Sequence, residues 1–287
     1  MMNPKTLLMP LSSSGQVKER LQGALAIAQY FEAHLDVMHA QVSPRRFFPD
    51  DRISLAVPAE LLHQLEALAT KSTEHESVAM RSMFAELCKS ASVELISAGR
   101  VDGPSATWLD VTGLRSEMVA ERGKVSDMLV IPQPRSGVPT STFESALMRS
   151  GKPVMLMPRE QTCFRAERVA IAWNGSTEVS RAVSAALPIL KRAQEVHVLT
   201  ERDARAFKPD VQDLLVYLER HDIDAVHKTF DSRHKSAGEA IIDTLHDEGY
   251  DLLVMGAYTH RRVHEQVFGG VTSYVVGHAR IPVLMMH

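Results

Sequence analysis

The sequence predicts an α/β protein of two homologous doubly wound parallel-sheet domains that pair within one chain as an intrachain pseudo-dimer. Three observations predict it: a segment order that occurs twice, short apolar runs alternating with helical patterns, and strands apolar on both faces. KTLLMPLSSSGQVKERLQGALAIAQYFEAHLDVMHA from Lys5 lies beside ERVAIAWNGSTEVSRAVSAALPILKRAQEVHVLT from Glu167. Each has an apolar run, a Ser/Gly turn, an Ala/Leu-rich helical stretch and a second apolar run. Further on, Asp127-Met-Leu-Val-Ile matches Asp251-Leu-Leu-Val-Met, and Lys152-Pro153-Val-Met-Leu-Met matches Ile281-Pro282-Val-Leu-Met-Met. Matches in the same order make a repeat. They place the domains at 1–158 and 162–287.

In the second half, strands are expected near 167–173, 194–200, 224–230, 251–256 and 281–286. Runs such as LLVM and PVLMM are apolar without alternation, as buried parallel strands are. Helices are expected between them at 176–193, where Ser176 is a natural cap, then at 207–220, 236–248 and about 270–279. Strand alternating with helix gives a doubly wound sheet. The first half follows the same order but carries an insertion at 41–57, with Pro44 and Pro49, before a helical stretch at 58–90. The insertion reads as a surface arm or a partner contact. Each half closes on a bare apolar strand, PVMLM or PVLMM, and pairing the two covers both edges at once.

Composition narrows the function. The chain has 287 residues, with 32 Lys and Arg against 35 Asp and Glu, a formal charge of −3. Nucleic-acid and anionic-membrane binding want a basic excess, so neither is expected. One small anion site is still permitted, since a few backbone N–H groups hold a phosphate unaided. Cys88 and Cys163 make neither a disulfide framework nor a CxxC pair. No 18-residue apolar run occurs, and the N-terminal apolar stretch is too short for a signal peptide. A cytoplasmic protein is expected.

The residues that carry chemistry cluster in the second half, after its first and fourth strands, where doubly wound sheets bind ligands. After the first comes Trp173-Asn174-Gly175-Ser176. After the fourth come Gly256, a loop, then Gly269-Gly270 opening a helix with Val271, Thr272 and Ser273 in its first turn. Free N–H donors, hydroxyls and the positive end of a helix dipole then meet at one point, which suits a phosphate. Neither Gly123-Lys124 nor Gly151-Lys152 has a Walker A lead-in. There is no HExxH, GxSxG or paired-carboxylate signature, so no catalytic residue is assigned. His260 and His264 lack the acidic or Cys company of a metal site, and no metal ligand is assigned either.

This region resembles the universal stress protein family, whose signature is Gly, two residues, Gly, nine residues, then Gly followed by Ser or Thr. Gly256, Thr259 and Gly269 stand at those spacings, followed by Gly270-Val271-Thr272. AIAWNGSTEVS and the closing PVLMMH are also similar to that family. The resemblance implies a tandem universal stress protein binding ATP or another adenine nucleotide. It implies adenine and ribose contacts at Ala172 and Asn174, with Thr200 close by, and phosphate contacts from Gly256, Thr259, Gly269, Gly270, Val271 and Thr272. Three positions depart from the pattern: Asn174 replaces an Asp, Thr259 replaces the second glycine, and Gly270 replaces a Ser or Thr. Whether Mg²⁺ accompanies the nucleotide is left open.

The first half departs further. Pro132 stands opposite Gly256 and has no N–H. The path from Pro132 to Pro153 is five residues shorter than that from Gly256 to Pro282, and Phe143-Glu144-Ser145 replaces the double-glycine helix start. The first domain is expected to keep the fold and to have lost the nucleotide site. A non-catalytic stress-response protein acting through protein partners follows from the resemblance. A nucleotide-free interaction scaffold and a slow ATP hydrolase are the alternatives, and a homodimer of the whole chain stays open.

Overall fold

The computed structural model describes residues 3–41, 76–99, 101–202, 209–258 and 270–287. The first half runs β1 Thr6–Leu11, α1 Val17–Phe31, β2 His34–Gln41, a helix α2 described over 76–90, β3 Glu94–Leu95, β4 Ser105–Thr112, α3 Arg115–Arg122, β5 Met128–Pro132, α4 Ser141–Arg149 and β6 Val154–Met157. The second runs β7 Arg168–Ala172, α5 Thr177–Leu190, β8 Glu195–Glu201, α6 Val211–Glu219, β9 Ala225–Phe230, α7 Ala237–Asp247, β10 Leu252–Gly256, α8 Val271–His278 and β11 Val283–Met286. The 41–57 insertion, apart from its first residue, lies outside the described residues.

The described strands join one sheet of eleven in the order β3-β4-β2-β1-β5-β6-β11-β10-β7-β8-β9. Neighbours are parallel except β6 and β11, which pair antiparallel with Val283 opposite Leu156, Leu284 opposite Met155 and Met285 opposite Val154. The two closing strands thus cover each other at the centre, as expected. The order around them reads the same from either end, apart from the extra edge strand β3. Because β6 and β11 oppose, the carboxyl ends of the strands lie on opposite sides of the sheet in the two halves.

Strand residues alternate between two cores, one per face. Leu7, Met9 and Leu11 point with Val169, Ile171, Leu252 and Val254 into the core under α1, α2, α5 and α6. Leu8, Ala170, Leu253 and Met255 point into the core under α3, α4, α7 and α8. Burial on both faces explains the continuous apolar runs. The outer strands are blunted: β3 has two exposed residues, and β9 buries only Phe230 and carries Lys228, which discourages edge pairing.

The strands start at matched points because two aspartates hold them. Asp127 Oδ2 accepts the N–H groups of Lys5 and Thr6 at 2.8 and 2.9 Å. Its counterpart Asp251 accepts those of Glu167 and Arg168, each at 3.0 Å. Burial alone would raise both carboxyls. At Asp127 the hydrogen bonds outweigh it and the pKa falls, whereas at Asp251 burial wins and it rises.

Two glycines join the halves on the α8 side. A Cβ on Gly277 would stand 2.9 Å from the Gly137 carbonyl oxygen. Beside it, Gln133 Nε2 donates to the carbonyls of Val276 and Ala279 at 2.9 and 3.1 Å. A first-half loop therefore caps the carboxyl end of a second-half helix, satisfying orphan carbonyls.

Candidate nucleotide site

The strand order reverses between β7 and β10, and a ligand crevice opens at such a switch point. The turn after β7 is built locally. Asn174 Oδ1 accepts the Ser176 N–H at 3.1 Å, Gly175 sits at φ 71° where a side chain would be strained, and Ser176 Oγ accepts the Val179 N–H at 3.3 Å. Asn174, replacing an acid, thus shapes the turn through its carbonyl oxygen. Trp173 beside it is buried, and its indole N–H has no partner among the described residues.

Gly256 ends β10 where α5 comes close. A Cβ there would stand 2.5 Å from the Val179 amide nitrogen and 2.9 Å from the Glu178 Cβ. The close approach that calls for glycine is therefore to the first turn of α5. Next, the Ala257 N–H donates to the Met286 carbonyl at 2.9 Å, and Tyr258 turns the chain at φ 55°. The Tyr258 N–H then donates to Thr272 Oγ1 at 3.2 Å. The strand end and the start of α8 are tied directly, and the Thr272 hydroxyl serves as the tie.

The start of α8 differs from those of its neighbours. Ser176, Asp210 and Ser236 cap α5, α6 and α7 with their side chains. Gly270 caps α8 at φ 155° with no side-chain bond, and a Cβ on it would meet nothing within 4 Å. Among the described residues, the amides of Val271, Thr272 and Ser273 have no acceptor. Among the described residues, open space in front of Gly270, three donors without an acceptor and the positive helix end coincide, an arrangement that suits an anion.

Ala172, Asn174, Gly256, Gly270, Val271 and Thr272 are gathered at this end of β7 and β10. Thr200 stands one strand away on β8, buried, with its hydroxyl 2.8 Å from His227 Nε2. Thr259 and Gly269 lie outside the described residues, as do Arg261, Arg262, His260 and His264.

At the corresponding end of the first half, the helix start and the turn after β1 are occupied by the protein's own side chains. Helix α4 starts at Ser141, two residues before the Phe143 expected from sequence, and Thr140 Oγ1 accepts the Phe143 N–H at 3.2 Å. Glu144 lies in its first turn. In the loop after β1, Arg20 is buried and donates to the carbonyls of Ser12, Ser14, Gly15 and Gln16 and to the Ser12 hydroxyl, at 2.6–3.1 Å. Sequence reasoning missed Arg20, which reads as a solvated helix charge.

A doubly wound parallel sheet in each half, with a helix start that lacks a side-chain cap at the switch point of the second, defines the class: a tandem α/β fold. Residues 166–287 match the model of the universal stress protein family. The whole fold is similar to a universal stress protein from Archaeoglobus fulgidus, at TM-score 0.69 and 12% identity over 97% of this chain and 95% of that one. It is also similar to a functionally unknown protein from Pseudomonas aeruginosa, at TM-score 0.52 and 13% identity over 99% and 92%. At these identities the likeness is one of fold. No curated protein sequence matches the chain. Among the described residues, no helix is long and apolar enough to cross a membrane.

Proposed function

We propose that the second half binds an adenine nucleotide, ATP foremost, with its phosphates on the amides that open α8 and its nucleoside along the Ala172–Ser176 turn. The observation that carries this reading is the uncapped start of α8 beside three capped helices of the same half. The described residues fit such a group: a Cβ on Gly270 would meet none of them within 4 Å, and the Val271, Thr272 and Ser273 amides open the helix there. These donors would hold phosphate oxygens, while Asn174 and the buried Trp173 indole offer polar atoms beside the nucleoside. Bound ATP would supply the signal, and the protein would act through partners rather than by turnover.

Ser273→Asp tests the reading with opposite signs on folding and binding. An acid in the first turn of a helix stabilises it by about 0.3–1 kcal/mol. The same carboxylate repels a phosphate and competes for its donors, and a lost charge-assisted bond costs about 1.5–3 kcal/mol. Calorimetry should show adenine-specific binding, meaning ATP that excess GTP does not displace, weakened roughly 10- to 100-fold. The melting temperature should hold or rise. Unchanged ATP affinity in the folded variant overturns the site.

A further inference from the structure

Four arginines converge at the carboxyl ends of the first-half strands. Arg115, Arg135 and Arg159 each follow β4, β5 or β6 within three residues of its last residue. Arg20 rises from the first turn of α1 beside the loop after β1. Arg20 is committed to that loop, its donors engaged by the carbonyls and the Ser12 hydroxyl. The other three are not committed. The tips of Arg135 and Arg159 both stand 3.9 Å from the point a Cβ on Gly15 would occupy. The Nε atoms of Arg115 and Arg159 are buried with no hydrogen-bond partner among the described residues.

Charge makes the arrangement costly unless something offsets it. Among the described residues no carboxylate pairs with Arg115, Arg135 or Arg159. The pKa of Arg20 is pushed down to about 10, first by burial and then by the charges of Arg159 and Arg115, with only Glu19 opposing. Arg159 is lowered by burial and by Arg135. Surface arginines extend their heads into water and usually find a carboxylate; buried Nε donors facing like charges are not of that kind. They suit a multivalent anion that accepts from several directions, which guanidinium forks bind strongly.

We propose that this cluster is a binding site for a phosphate chain of two or more phosphoryl groups. It differs from the α8 site in its donors, side-chain guanidinium groups in place of backbone amides, and lies in the other half of the chain. A single carboxylate carries one charge and would leave most of the cluster unbalanced. The turn after β1 is already filled by Arg20, so recognition rests on the chain of phosphates and not on a base. Free oligophosphate and the tail of a nucleotide share this chemistry.

The test uses the full-length protein at low ionic strength with inorganic triphosphate as the calorimetric probe. Ser273→Asp, which closes the α8 amides to phosphate, should still bind one triphosphate per chain, since those amides are not the donors of this site. Arg135→Gln, at an exposed side chain, should weaken it roughly tenfold or more, and the pair Arg135→Gln and Arg159→Gln roughly 100-fold or more. Without ligand, both variants should melt no lower than wild type, because a like charge has been removed. That readout separates lost binding from lost folding. GTP, titrated in the Ser273→Asp background, distinguishes the sources: binding as tight as triphosphate admits nucleotide tails, and weaker binding assigns the site to the free chain. No binding of triphosphate to wild type overturns the proposal, as does undiminished binding by the folded arginine variants. Loss of binding in Ser273→Asp with retention in the arginine pair would move the anion to α8 and overturn it too.

Discussion

Leu284→Asp is expected to destabilise the whole chain severely, not its second half alone. Leu284 is fully buried in β11, opposite Met155 of β6 and beside Val254 of β10, in the middle of the sheet. Truncating a buried leucine costs about 2.7–5 kcal/mol through transfer and cavity terms. A carboxyl group without a partner adds its own burial penalty. The sum approaches the entire stability of an ordinary domain, about 5–15 kcal/mol. When β11 leaves, β6 becomes a bare apolar edge of four buried residues, so the first half loses its cover as well. Urea denaturation followed by tryptophan fluorescence reports on both halves, through Trp108 and Trp173. A single early transition at both tryptophans is expected. A variant whose first half melts like wild type would show that the two halves fold independently.

Gly256→Val is the second large effect, and its cause is steric. The ideal Cβ position lies 2.5 Å from the Val179 nitrogen and 3.0 Å from the Glu178 carbonyl carbon. Both are backbone atoms, held by the Ser176 cap, and cannot swing aside as a side-chain tip would. Overpacking usually costs about 1–3 kcal/mol. Displacing a helix start, and the Asn174 turn with it, puts this change at about 3 kcal/mol or more. Gly256→Ala should fall between wild type and valine, and both should weaken ATP binding because the turn and strand end move apart. Denaturation midpoints ordered glycine, alanine, valine are the expected result. A valine variant as stable as wild type would mean that α5 does not approach the strand as closely as described.

Much of this was legible in the sequence, for a reason that also explains what was not. Strands buried on both faces must be apolar throughout, so β7, β10 and β11 stand out as runs and repeat visibly between the halves. Closing strands must be covered, so their pairing followed from edge chemistry. By contrast, β4 mixes Ser105, Thr107 and Asp110 with apolar residues and half faces water, so the repeat implied a strand in this part of the first half without placing its bounds. The two-residue β3 is too short to carry a pattern. At the candidate site, the glycines marked the right turns, but sequence alone assigned Gly256 to a phosphate when its nearest demand is the α5 backbone. The hydroxyl of Thr272, read as a phosphate contact, also accepts the Tyr258 N–H. Arginines after strand ends carry no local signal of convergence. Arg115, Arg135 and Arg159 lie far apart in sequence, and only the order of β1, β4, β5 and β6 in the sheet brings them together.

The central claim, that the uncapped start of α8 and the turn after β7 receive an adenine nucleotide together, is tested most directly by hydrogen–deuterium exchange of the full chain with and without ATP. Donors that point into open space exchange quickly and slow once a phosphate accepts from them. The account predicts ATP-dependent protection of the amides at 271–273, accompanied by protection at 174–176 and 257–258. Exchange at 271–273 that is the same with saturating ATP as without it would contradict the account, whatever changes elsewhere.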